Sequence, residues 1–319
     1  MAIFSFCLSV MKASAQFPGF AGSPGSTALH KDTFLFKAWA KGCLVLRGYR
    51  NIADTSLGKS EAGTAESAIG IAGNQGGVVS LGDGGMATLT FQRAITNGPG
   101  PDFAVFENSF ADDFLELAFV EVSSDGFHFI RFPAVSFISD SQQTGPFDAR
   151  GRASLIHNLA GKYRSEFGTP FDLEDLKDSV KIDINSVSHV RVIDVVGSIN
   201  PLFARHDKNG NTINDPFPTP FPSGGFDLDA VGLIHQNNHS KMELSIFPNP
   251  VLEGIILSNN NAEDAVWQLI DMVGNELGTG FVKKFSEISI TLKHLRGSCY
   301  CFRIQLAGGD YELLKFIKI

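Results

Sequence analysis

The chain has 319 residues, 43% hydrophobic and 19% charged, which is enough apolar material for one large core and a smaller one and excludes a disordered chain. Its formal net charge of −8, with Lys and Arg scattered, excludes the basic stripe that nucleic acid or an anionic membrane surface would need. The 28 Phe and 33 Gly, against 2 Trp, favour short strands joined by tight turns over long helices.

Taken in chain order, Ile3 to Met11 is a short apolar run followed by Ala13-Ser14-Ala15, a small-x-small cleavage pattern before Gln16. Residues 1–15 are therefore expected to be a signal peptide, although Lys12 follows the apolar run instead of preceding it. No segment reaches transmembrane length. Removal of Cys7 with the signal would leave Cys43, Cys299 and Cys301, too few for a disulfide framework, and the two at i and i+2 are poorly placed to bridge each other.

Residues 17–75 are weakly periodic, with one apolar stretch at Cys43 to Leu46. From Gly77 a strand series is expected: Val78 to Leu81, Met86 to Phe91, Phe103 to Phe106 and Leu115 to Ser123. The last turns at Ser124-Asp125-Gly126 into Phe127 to Pro133, and Asp-Gly between apolar runs is a strong hairpin signal. Residues 157–178 read as an irregular excursion with one helical turn near Leu173 to Leu176; Val187 to Val196 and Phe226 to Ile234 complete the body. This predicts a large antiparallel β-sandwich over 16–236. A polar linker at 237–243 precedes a second strand-rich unit, a small Ig-like sandwich over 244–319.

The most specific candidate site is Asp207, Asn209, Asn211, Ile213 and Asp215. Oxygen donors at alternate positions around Gly210 suit a hard cation such as Ca²⁺, with Ile213 contributing its carbonyl. Gly210 comes two places early for an EF-hand loop and the twelfth position lacks Glu, so a polar turn explains the same residues. Asp227 and Asp229 sit two apart in the closing strand and repel unless a cation, Arg191 or Arg205 lies between them. One Ca²⁺ shared by all seven residues is the resulting expectation. Glu107, Asp112, Asp113 and Glu116 form either a second cation or ligand rim or a solvated acidic face. Phe217, Phe221, Tyr163 and Phe171 are candidates for stacking on a sugar or for core packing. No HExxH, GxSxG, phosphate loop or CxxC occurs, so a catalytic role is not expected.

Two resemblances add to this reading. Phe247-Pro248-Asn249-Pro250, a strand ending Asp271-Met272-Val273-Gly274, and the tail Lys315-Phe316-Ile317-Lys318 resemble the type A sorting domain of the type IX secretion system of Bacteroidetes, over about a quarter of the chain. The resemblance implies type IX secretion machinery as a partner, passage across the outer membrane, and release or attachment at the cell surface. Ser80 to Gly85, Val120 to Gly126 and Phe226 to Val231 resemble galactose-binding-like (discoidin-type, jelly-roll) sandwiches, which implies binding of a carbohydrate or other small ligand. The resulting expectation is an exported, calcium-stabilised surface binding protein, a corrinoid-uptake accessory being one form of it. A structural or adhesive surface protein and a hydrolase using paired carboxylates are the alternatives.

Overall fold

Alternation of apolar and polar residues puts every second side chain on one face of a strand, and in the first unit it yields seven main strands. They are β1 (Gly42–Leu46), β2 (Met86–Ile95), β3 (Phe103–Glu107), β4 (Ala118–Ser123), β5 (Phe167–Phe171), β6 (Val187–Asp194) and β7 (Asp227–Leu233). The structure, a computed structural model, describes residues 17–74, 76–149, 151–237, 243–306 and 311–319. The expected signal peptide and most of the expected linker lie outside them. The chain divides into two units, Met1–Asn237 and Asn238–Ile319.

One sheet of the first unit runs Leu29–His30, β5, β3, β7, Ala38–Trp39, with Val79–Ser80 also pairing β7; the other runs β1, β2, β6, β4, Ile130–Arg131. All these pairings are antiparallel. Phe103, Val105, Leu228 and Val231 from the first sheet meet Leu89, Val120, Val122, Val190 and Val192 from the second in one buried core. The fold is an antiparallel β-sandwich. Each large apolar side chain buried there contributes about 1.5–3 kcal/mol.

Where expectation and structure differ, tertiary contacts decide. The strand expected from Leu115 begins only at Ala118, because Leu115 and Leu117 turn into a second core with Ile156, Val195 and Ile213. The helical turn at Leu173–Leu176 is a 3₁₀ turn in which Leu173 N donates to Asp102 Oδ2 at 2.7 Å and Glu174 N to Asp172 Oδ1 at 2.9 Å. Among the described residues, no helix is long and apolar enough to cross a membrane.

The second unit has strands β8 (Leu244–Phe247), β9 (Gly254–Asn259), β10 (Ala265–Asp271), β11 (Glu276–Val282), β12 (Ser286–Thr291), β13 (Ser298–Leu306) and β14 (Tyr311–Lys318). Sheets β8-β9-β12 and β11-β10-β13-β14 enclose Ile255, Leu257, Leu269, Phe302, Ile304 and Phe316. Its first and last residues are clasped together. Asn249 Oδ1 accepts from Ile317 N at 3.0 Å and its Nδ2 donates to Lys315 O at 3.1 Å. Val251 extends the clasp, donating to Ile317 O at 2.8 Å and accepting from Ile319 N at 3.0 Å. Asn249→Ala is expected to cost about 1 kcal/mol and to speed exchange of the Ile317 amide. Hydrogen exchange at that amide is the measurement, and an unchanged rate would refute the clasp.

Candidate functional site

A carboxylate is a good acceptor for a chain of backbone N–H groups, and Asp207 is used that way. Its Oδ1 accepts from Asn209 N at 2.8 Å and Asn211 N at 2.9 Å; its Oδ2 accepts from Asn211 Nδ2 at 3.0 Å and Ser136 N at 3.1 Å. The same turn recurs in the other unit. Asp271 Oδ1 accepts from Val273 N at 3.0 Å and Asn275 N at 2.9 Å, and its Oδ2 accepts from Asn275 Nδ2 at 2.8 Å. Gly210 and Gly274 hold the matching positive φ of 85° and 93°. Asp-x-x-Gly-Asn thus closes a turn with its own side chains, which accounts for the alternating oxygens at 207–211.

The other four residues of the expected cation site have separate surroundings. Ile213 is buried in the second core. Asp215 Oδ2 accepts from Leu117 N at 2.8 Å. Asp227 accepts from the Ser80 hydroxyl, and Asp229 accepts from Gly73 N with both oxygens, at 2.8 and 3.0 Å. Asp227 and Asp229 are two apart, but the ladder slips between Leu228 and Ala230, a bulge centred on Asp229. Neither expected arginine bridges them: Arg191 pairs with Glu121 at 3.5 Å and lies over Phe129, while Arg205 faces Asp194. Arg47 is the cation facing Asp227, and Lys31 the one facing Asp229. Among the described residues, no group of three or more His, Cys, Asp or Glu is placed to hold a metal ion.

What the fold does assemble is a buried acidic end to the sandwich. Glu107 continues the inward-facing row of Phe103 and Val105. It is 1% exposed; Oε2 accepts from Ser109 N at 2.8 Å and Oε1 has no partner. Burial, with Asp227 and Asp229 nearby, holds its carboxyl well above the usual range. Burial does the same to Glu116, reinforced by Glu107, Asp227, Asp215 and Asp194. Asp194 reaches about 6 for the same reason, although it accepts from Gly84 N, Val196 N and Phe226 N, each at 2.8 Å. Val196, a β-branched residue at φ 73°, is held in that strained conformation beside it.

At Glu116 and Asp227 this acidic end opens into a cavity of about 200 Å³. Glu116, Asp227, Asn108, Ser109, Thr219 and Ser223 give it polar lining, and Phe110, Phe114, Phe147 and Phe221 give it aromatic walls. The rings come in two pairs, Phe110 on Phe114 with centroids 4.6 Å apart and Phe147 on Phe221 at 5.5 Å. Phe110 and Phe147 form an exposed rim, at 75% and 73%. Four chain segments converge here: the loop after β3, the stretch at 146–147, the Pro-rich loop at 216–225, and the start of β7.

No family model matches the sequence, and neither does any curated protein. Among solved structures, an immunoglobulin-like β-sandwich protein of the DUF3244 family from Bacteroides vulgatus is similar over 24% of this chain and 86% of its own, at 16% identity and TM-score 0.22. A β-glucuronidase from Ruminococcus gnavus is similar over 88% of this chain and 44% of its own, at 11% identity and TM-score 0.24. The Parabacteroides merdae β-glucuronidase is similar over 88% and 35%, at 9% identity and TM-score 0.25. This chain thus spans less than half the length of either glucuronidase.

Of the aromatics singled out by sequence, Tyr163, Phe171 and Phe217 are buried, and only Phe221 reaches the cavity. Of the acidic run, Glu107 is buried and Glu116 half-buried, while Asp112 and Asp113 line a separate cavity of about 440 Å³. A purely solvated acidic face is therefore corrected, because β3 carries Glu107 into the core layer. The available signal was the inward position of an acidic residue at the end of an apolar strand.

Proposed function

We propose that the chain is an exported cell-surface binding protein whose first unit captures a small ligand, of carbohydrate size, in the cavity over Glu107, Glu116 and Asp227. The observation that carries this reading is an aromatic-rimmed cavity lined by the carboxyl groups of Glu116 and Asp227. Carboxyl groups drawn together out of water disfavour one another's ionised forms, so a cavity that retains them is a functional candidate. A galactose-binding-like sandwich is in keeping with such a role. For the second unit we propose the part of a type IX sorting domain, since the Phe247-Pro248-Asn249-Pro250 segment and the terminal tail that carry the resemblance form one clasped element. Calorimetry against a panel of sugars and small cofactors, corrinoids included, tests the first part: millimolar or tighter binding abolished by Phe147→Ala supports it, and silence across the panel refutes it. Removing residues 244–319 tests the second: the product should stay inside the cell, and normal surface display would refute it.

A further inference from the structure

Resting on the proposed capture of a small ligand, we infer that the cavity over Glu107, Glu116 and Asp227 takes a compact organic ammonium ion, as carried by an amino sugar. Three carboxyl groups here lie within electrostatic reach of one another, and one oxygen of Glu107 has no hydrogen-bond partner. Glu116 and Asp227 line the cavity directly, with Glu107 against them. Like charges at one desolvated site are relieved by protons or by a cation.

Among the described residues, Arg47 offsets part of the charge at Asp227, and no Lys or Arg lines the cavity. Arg47 faces Asp227, but its guanidinium is spent on carbonyls: Nη1 donates to Ala62 O at 2.8 Å and to Ser80 O, and Nη2 to Gly63 O at 2.6 Å. Lys31 is paired with Glu166 at 3.1 Å, and Arg205 faces Asp194. A hard metal ion would want six or more oxygen ligands in one shell. Beside its oxygen-bearing residues the cavity is lined by the rings of Phe110, Phe114, Phe147 and Phe221, which add attraction for an organic ammonium and bring no donor atom to a metal. The hydroxyls of Ser109, Thr219 and Ser223 can meet the N–H groups or the hydroxyls of such a ligand. A volume of about 200 Å³ is below the roughly 300–1,000 Å³ of drug-sized pockets, and so suits a single ring.

The test is calorimetry of the full chain with glucosamine, N-acetylglucosamine, glucose and calcium chloride, the three sugars sharing one ring and differing in charge. Glucosamine should bind at least about tenfold more tightly than either neutral sugar. Glu116→Gln and Phe147→Ala should each weaken it by about tenfold or more, and the latter, at an exposed ring, leaves the fold intact. Equal or stronger binding of glucose or N-acetylglucosamine overturns the ammonium inference and leaves the capture reading standing. Binding of calcium alone, lost in Glu116→Gln, also overturns it in favour of a metal site. Silence with all four at about 10 mM overturns the inference, and capture falls with it if the wider panel is silent too.

Discussion

Gly197→Ala is expected to destabilise the first unit by about 2–5 kcal/mol and to lower its melting temperature by roughly 4–20 °C. Gly197 has φ 72°, and a Cβ built on it would lie 1.5 Å from Asp215 Oδ1. The obstructing group is a buried carboxylate that is itself engaged, since Asp215 Oδ2 holds Leu117 N at 2.8 Å. Moving it leaves an N–H group unsatisfied beside the second core, a loss of about 1–3 kcal/mol, and the left-handed backbone adds about 1–2 kcal/mol for any residue with a Cβ. Gly210→Ala is the control. Its φ is 85° but nothing lies within 4 Å of the new Cβ, so only the backbone component, about 1 kcal/mol, should appear. Thermal unfolding of the two variants decides the matter, and equal losses would show that the collision with Asp215 does not matter.

Stability should fall, not rise, as pH increases from about 4 to about 7. Burial pushes Asp83 up to about 7, and Asp194, Asp227 and Asp229 up to about 6, from an ordinary value of 3.8. The folded state therefore holds protons that the unfolded chain has released. The stabilisation is fully present below 3.8 and is lost as pH climbs through 6 to 7. Moving one carboxyl from 3.8 to about 6 corresponds to a loss of about 3 kcal/mol by neutral pH, and neighbouring groups share protons, so the total is less than the sum. Arg47, Arg205 and Lys31 act in the opposite sense by favouring the ionised forms. Urea midpoints at about pH 5 and about pH 8 measure the effect, which should amount to several kcal/mol. Glu107→Gln should reduce the fall by removing the charge that has no partner on Oε1. A midpoint that rises over this range would rule out burial of these carboxyls as the controlling factor.

The two turns built on Asp207 and Asp271 show how far local chemistry reaches. Asp-x-x-Gly-Asn names its own hydrogen bonds, since every partner lies within four residues. At the first of these turns the same pattern also suggested a cation loop. Strands were legible for a similar reason: alternation at Met86 to Phe91 and within Val187 to Val196 is a property of neighbouring residues, and it specified an all-β chain with antiparallel sheets. The strand at Glu276–Val282 went unseen because Gly278 and Gly280 interrupt its pattern, and pairing with β10 is what makes it a strand.

The acidic cavity belongs to the other category. Sequence placed Glu107 and Glu116 in one acidic run and Asp227 in a different candidate site; β3 pairing with β7 at Leu228 opposite Glu107 sets Glu107 and Asp227 at one end of the core. That register is fixed by which faces pack between the sheets, and the bulge at Asp229 then gives that carboxylate a partner of its own in Gly73. The amino-acid order by itself determined most of the strands and the turns; Phe167–Phe171, read as part of an irregular excursion, becomes a strand only by pairing with β3 and Leu29–His30. Which carboxylates lose their water, and so which ones can want a ligand, was decided only by tertiary structure, because desolvation depends on everything packed around a group and not on its neighbours in the chain.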